Sequence, residues 1–143
     1  MIIKKATKKH VKEISRLMLK DLKKPDKRFP KKMIDGLREH AKEENLLKEF
    51  NNPKLVSFVA IDKRAVGFVV GYKRRSDIYL DYIAGKNKEK LLIRFIKFCK
   101  SKRIIADTFE FMDNYKLYIK NGFKLFKKEE ITKDLVISWL KLG

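Results

Sequence analysis

Cysteine is almost absent from this chain: Cys99 is the single one in 143 residues. No internal disulfide can staple the fold, and no cysteine cluster can hold a structural metal. Long apolar runs are missing too. No stretch of about 18 apolar residues reads as a membrane span, and Met1 to His10 lack the apolar core of a secretion signal. A soluble, cytoplasmic protein with no membrane partner is expected. His10 and His40 have no second ligand at metal spacing and read as solvated surface groups, so no metal is expected. The nucleophile elbow Gly-x-Ser-x-Gly and the phosphate-binding P-loop are both absent. Acid is scarce as well, with 18 Asp and Glu against 37 Lys and Arg, for a formal charge of +19.

Apolar residues make up 44% and charged residues 38%, which fits one globular domain over residues 1–143 rather than a disordered chain. Lysine serves solubility, but an excess this large over acid also points to a phosphate-rich partner. A dinucleotide cofactor, RNA and DNA all meet that description, and charge does not separate them.

Periodicity gives the order of elements. Residues 2–6 read as a strand. Thr7 then caps a helix with Val11, Ile14, Met18 and Leu22 on one face, and residues 23–30 form a basic loop with two prolines. Residues 31–50 read as one helix with Ile34, Leu37, Ala41, Leu47 and Phe50 inward. Residues 55–61 and 66–72 form a hairpin around a tight reversal at 62–65. A strand follows at 78–84, with Asp77, Tyr79, Asp81 and Ile83 on one face and Ile78, Leu80, Tyr82 and Ala84 on the other. A helix from about 87 to 102 turns Leu91, Leu92, Phe95, Ile96 and Cys99 inward, and Lys90, Arg94, Lys97 and Ser101 outward. Cys99 therefore reads as inert packing. Residues 104–109 form a strand. A short helix capped by Asp113 or Asn114 carries Tyr115, Tyr118 and Ile119 on one face and stops at Gly122. A hairpin, 122–129 and 131–141, ends the chain with Trp139 in the core.

The run Tyr118, Lys120, Gly122, Phe123 resembles the Tyr-x-Lys-x-Gly-Phe signature of the GNAT N-acetyltransferase superfamily. Ala65 to Val70 resembles that family's third strand, and the order β, α, α, β, β, β, α, β, α, β, β matches the family over essentially the whole chain. The resemblance implies an α/β fold: a single GNAT-like domain with a mixed sheet of about seven strands and helices on both faces. It also implies transfer of an acetyl group from acetyl-CoA, as co-substrate, to a primary amine by direct attack. The fourth and fifth strands would splay apart, with the backbone of Tyr82, Ile83 and Ala84 bonding the cofactor's pantetheine arm. Tyr118 would protonate the departing thiolate, since a phenol with a pKa of about 10 keeps its proton at neutral pH. A core tyrosine is the competing reading. Asn114 would line the same slot, or simply cap its helix.

The pyrophosphate loop departs from the family pattern. It reads only Gly85 to Lys90, with one glycine, where the family has Arg/Gln-x-x-Gly-x-Gly/Ala. Gly85, Lys86, Asn87 and Lys88 remain its candidates, the lysines acting as point charges beside the next helix's dipole. Asp81, or Asp77 through water, would accept the ammonium proton, with a lysine ion pair as the competing reading. Tyr79 and Phe29 would shape the acceptor site. Arg28-Phe29 and Tyr72-Lys73 set aromatics beside cations, the pattern of base stacking on nucleic acid. The alternative reading is therefore a GNAT-like fold without efficient catalysis that binds nucleic acid or a ribonucleoprotein through its basic surface. Expected partners are a small-molecule or protein amine, with nucleic acid and a second copy of the chain as further candidates.

Overall fold

The computed structural model describes residues 1–100 and 102–143. Strand β1 (Ile2–Lys5) leads through a short 3-10 turn (Lys8–His10) into α1 (Val11–Asp21). Helices α2 (Lys31–His40) and α3 (Glu43–Glu49) come before the strands β2 (Leu55–Asp62), β3 (Arg64–Lys73) and β4 (Asp77–Gly85). Helix α4 (Lys88–Cys99), strand β5 (Arg103–Phe109), helix α5 (Asp113–Lys120) and the hairpin β6 (Lys124–Thr132) and β7 (Leu135–Leu142) complete the chain. The strands form one sheet of seven, ordered β1-β2-β3-β4-β5-β7-β6. Every pairing is antiparallel except β4 with β5.

Two apolar clusters hold helices to the two faces of this sheet. Leu91, Leu92 and Phe95 of α4 and Tyr118 of α5 pack with Ile78, Leu80 and Ile83 on one side. Val11, Ile14 and Met18 of α1 and Leu46 of α3 pack with Val59, Phe68 and Ala84 on the other. Burial of this apolar surface is the main force holding the layers together. Among the described residues, no helix is long and apolar enough to cross a membrane.

Several expectations need correction. The helix expected over 31–50 breaks in two, because the Ala41 carbonyl accepts the Ser15 hydroxyl at 2.6 Å and Lys42 turns extended. The break resets the phase, so Leu46 is buried and Leu47 exposed. His10 is not a surface group: it is buried, and its Nδ1 accepts the Thr7 N–H at 3.0 Å. Burial, then Lys4 and Lys9, push its pKa down, which keeps the ring neutral. Helix α4 ends at Cys99, and Ser101 lies outside the described residues. The Cys99 thiol is buried and pushed up to about 11 by desolvation. The terminal hairpin turns at 133–134, later than expected, and Trp139 is only half-buried, its ring 6.4 Å from that of Tyr79.

The strand face assignment in β4 fails from Tyr82 to Ala84. Val70 pairs with Tyr82 while Gly71 pairs with Leu80, which leaves Asp81 as the extra residue of a β-bulge. Gly71 permits it, since a Cβ there would lie 2.5 Å from Phe95 and 2.6 Å from the Tyr79 carbonyl. Past the bulge the alternation inverts. Ile83 joins Ile78 and Leu80 against α4, while Tyr82 turns to the α1 side that Asp81 also faces.

Candidate active site

Strands β4 and β5 pair only from Asp77↔Arg103 to Leu80↔Ala106. The next residues are Asp81 and Asp107, and from there the strands run unpaired. The bulge accounts for the parting, because an extra residue bends its strand and interrupts the ladder. A cavity of about 400 Å³ opens at this fork. Asp81, Tyr82 and Ile83 line it from β4, Asp107, Thr108 and Phe109 from β5, and Asn114 and Tyr118 from α5.

Helix α5 brings its groups to the fork by its own packing. Tyr118 and Phe123 pack at 5.2 Å between ring centroids with their planes tilted by 43°, while Tyr115 and Leu117 pack on the same cluster. Leu117 takes the place expected of Ile119, which is exposed. Gly122, at φ 93°, closes the helix as expected. Neither Asp113 nor Asn114 caps it: the N-cap is Met112. Asn114 instead reaches across the fork, its Nδ2 3.4 Å from the Ile83 carbonyl and its Oδ1 accepting Lys88 Nζ at 2.9 Å. Tyr118 is 2% exposed yet lines the cavity. Desolvation raises its pKa, with Asp107 and Asp81 adding to the rise, so the phenol stays protonated.

Acidic groups gather around the same space. Burial raises the Asp81 pKa, Asp107 and Glu49 add to it, and His40 opposes it. Burial also raises Asp107, opposed by the hydrogen bond that its carboxylate accepts from Tyr79. Asp21 accepts the Tyr82 hydroxyl at 2.8 Å, and Asp26 holds Arg28 at 2.9 and 3.0 Å. Next to this cavity a basic cleft of about 700 Å³ is lined by Arg16, Lys20, Lys23, Arg64, Lys86 and Lys88. Asp21 and Lys24 line both spaces, so the two adjoin. Among the described residues, no cluster of potential metal ligands occurs.

No protein-family model and no curated protein matches the sequence. Solved structures do. The PaiA N-acetyltransferase of Thermoplasma acidophilum, in complex with coenzyme A, superposes with a TM-score of 0.73 at 20% identity, over 99% of this chain and 98% of that one. An aminoglycoside 6'-N-acetyltransferase complexed with coenzyme A gives 0.73 at 14% identity, over 99% and 96%. The aminoglycoside 6'-N-acetyltransferase of Enterococcus faecium gives 0.70 at 14% identity, over 99% and 96%. The chain has the GNAT N-acetyltransferase fold.

Within that GNAT fold, the expected site residues separate into groups. Asp81, Tyr82, Ile83, Asn114, Tyr118 and Phe29 line the forked cavity, whereas Gly85, Lys86 and Lys88 line the basic cleft. Ala84 is buried beside the fork, and Asn87 adopts φ 64° as the N-cap of α4. Tyr79 is not part of the cavity wall; it stands behind it, holding Asp107. Asp77 lies at the far end of β4, 3.7 Å from Arg103, and has no place in the cavity. The aromatic–cation pairs are engaged internally. Phe29 packs on Phe109 at 5.1 Å, Arg28 stacks on Phe111 at 3.6 Å, and Tyr72 donates to Glu49.

Sequence reasoning missed Asp107, Arg16, Lys20 and Arg64. Asp107 had a signal, as the lone carboxylate in the apolar run Ile104 to Phe109. The cleft cations had none, because α1 and β3 meet the loop only in the fold. Two glycines set that meeting: a Cβ at Gly67 would fall 2.1 Å from the Lys86 carbonyl, and one at Gly85, φ 87°, would fall 2.4 Å from the Val66 carbonyl.

The buried acids give a pH prediction. Asp81 and Asp107 have folded pKa values above their unfolded ones, so the folded state holds protons more tightly. Their stabilising contribution is complete below the unfolded value of about 3.9. It is lost as pH rises through the folded values. Asp107→Asn therefore melts a few degrees higher than the parent at pH 7, with the gap closing toward pH 4. A melting curve at each pH checks this, and an equal gap at both would contradict it.

Proposed function

We propose that this protein transfers the acetyl group of acetyl-CoA to a primary amine, by direct attack in a ternary complex. The observation that carries the reading is the fork of β4 and β5 beneath Tyr118. Unpaired strand backbone offers N–H and C=O groups to an amide-bearing arm, as a strand added to a sheet edge would use them. The chemistry of the adjoining cleft suits the phosphates of coenzyme A, with lysine and arginine charges doing what a glycine-rich loop's amides do elsewhere. Arg16 has part of its capacity committed, since its Nη2 donates to the Ala65 carbonyl at 3.1 Å.

On this reading, the backbone of residues 82–84 holds the pantetheine arm, and Asn114 marks one of those bonds by its place near the Ile83 carbonyl. Asp81, its pKa raised, takes a proton from the entering ammonium. The freed nitrogen attacks the thioester carbonyl carbon, a C–N bond forms and the C–S bond breaks. Tyr118 gives its proton to the departing sulfur and recovers one from the acylated nitrogen. Burial raises the pKa of the phenol, so it holds the proton that the thiolate needs until the C–S bond breaks.

Free thiol released from acetyl-CoA, followed against both substrates, tests the proposal. Release that needs the amine, with initial-rate lines that intersect, is expected. Parallel lines would indicate an acetylated enzyme and overturn direct attack.

A further inference from the structure

Two departures from the local pattern meet in one place. The helix break at Ala41 ends α2 on His40 and starts a second helix that ends on Glu49. In one continuous helix these residues would stand about 13 Å apart along the axis, at 1.5 Å per residue. The break folds them together instead, with His40 Nδ1 3.8 Å from Glu49 Oε1. The bulge in β4 brings Asp81 to the same point.

His40, Glu49 and Asp81 line a small cavity of about 10 Å³, the scale of a single water molecule. Asp81 and Tyr82 form the wall between this cavity and the forked one, since both residues line both spaces. Met18, Leu46, Phe68 and Val70 make much of the remaining surface apolar. The two tyrosines are committed, Tyr72 donating its hydroxyl proton to Glu49 and Tyr82 to Asp21. The charged groups facing Asp81 are His40, Asp107 and Glu49, and His40 is the basic one among them. Its side chain is 37% exposed, so it reaches from the small cavity to solvent.

A proton taken up by Asp81 has to leave before the next turnover. With acetyl-CoA and amine in the fork, substrate covers one side of the carboxyl, and the other side opens to the small cavity. Imidazole both takes and gives a proton near neutral pH, which a phenol does not. A carboxylate beside Nδ1 favours the tautomer that carries its proton there, which leaves the Nε2 lone pair to receive. Tyr72 fixes that arrangement by holding Glu49.

We propose that His40 relays the proton from Asp81 to solvent through a water in the small cavity, with Glu49 orienting the imidazole. This rests on the acetyltransferase reading. In each turnover the ammonium nitrogen gives one proton to Asp81. Asp81 passes it to the water, the water passes one of its own to His40, and His40 releases one to solvent.

An ion pair that only staples α2 to α3 is the competing role, and added buffer separates the two. Amine-dependent thiol release is measured for the parent, His40→Gln and Glu49→Gln in dilute buffer, then with imidazole, which is not a primary amine. Both variants should lose about 10- to 100-fold in kcat, less than the loss of a group at the reacting atoms. KM for both substrates should stay within roughly a factor of two. Imidazole should restore kcat as its concentration rises, which no staple would allow. Unchanged kcat in dilute buffer overturns the relay, and so does a loss that imidazole leaves in place. The parent separates the two levels of failure. An active parent matched by its variants sinks the relay alone, whereas a parent without amine-dependent release sinks the acetyltransferase reading and the relay with it.

Discussion

Tyr118→Phe lowers kcat by about 10²- to 10⁴-fold, the span typical of losing a positioned general acid, while acetyl-CoA affinity stays within roughly a factor of two. The asymmetry follows from where the oxygen sits. The ring supplies the packing, tilted against Phe123 within the cluster that holds α5 to the sheet, and phenylalanine keeps that ring. Only the hydroxyl is lost, so the variant leaves the thiolate without a nearby proton and takes little from the folded state. Initial rates with the variant, alongside its titration with acetyl-CoA, separate the two quantities. Unaltered kcat would remove the acid role from Tyr118. Equal losses in kcat and affinity would indicate that the ring had moved.

The Lys86→Glu/Lys88→Glu double variant weakens acetyl-CoA binding by at least about 100-fold, since charged hydrogen bonds contribute about 1.5–3 kcal/mol each and reversal adds repulsion. Gly85 stands at the loop's only glycine position, pressed against Val66, so backbone amides have little room to wrap a phosphate. Affinity then depends on cations, and lysine acts as a strongly hydrated point charge. Parent affinity should fall steeply with added salt, and the double variant should show a shallower slope. Lys88 also holds Asn114 in place, so some loss in kcat accompanies the loss in binding. If the double variant kept the parent's affinity and salt slope, the phosphates would lie elsewhere.

Much of the fold was legible because its signals are local. Apolar runs flanking a tight reversal marked β2 and β3, helical spacing marked α1 and α4, and Gly122 marked the end of α5. Errors arose where a distant contact overrode the local pattern. Ser15, 26 residues away in sequence, takes the Ala41 carbonyl and splits the expected helix. Phe95 and the Tyr79 carbonyl crowd Gly71, and the adjoining bulge at Asp81 turns the rest of β4 over. The candidate site suffered most from that bulge. Tyr82 was expected opposite Asp81, yet both line one cavity. Tyr118 was singled out by the signature, and Asn114 and residues 82–84 by the family resemblance; Tyr82, Ile83, Asn114 and Tyr118 line the cavity and Ala84 is buried beside it. Asp107 left a trace as the lone carboxylate of an apolar run, but the cleft cations left none, because only the completed fold brings α1 and β3 to the loop.

Calorimetric titration with acetyl-CoA tests the central claim, that the parted strands and adjoining basic cleft form its binding site. The account predicts saturable one-to-one binding, with a melting temperature that rises in step. Ligand at 100 times its Kd adds about 2.7 kcal/mol to stability. Heats no larger than dilution and an unmoved melting curve at millimolar acetyl-CoA would contradict it.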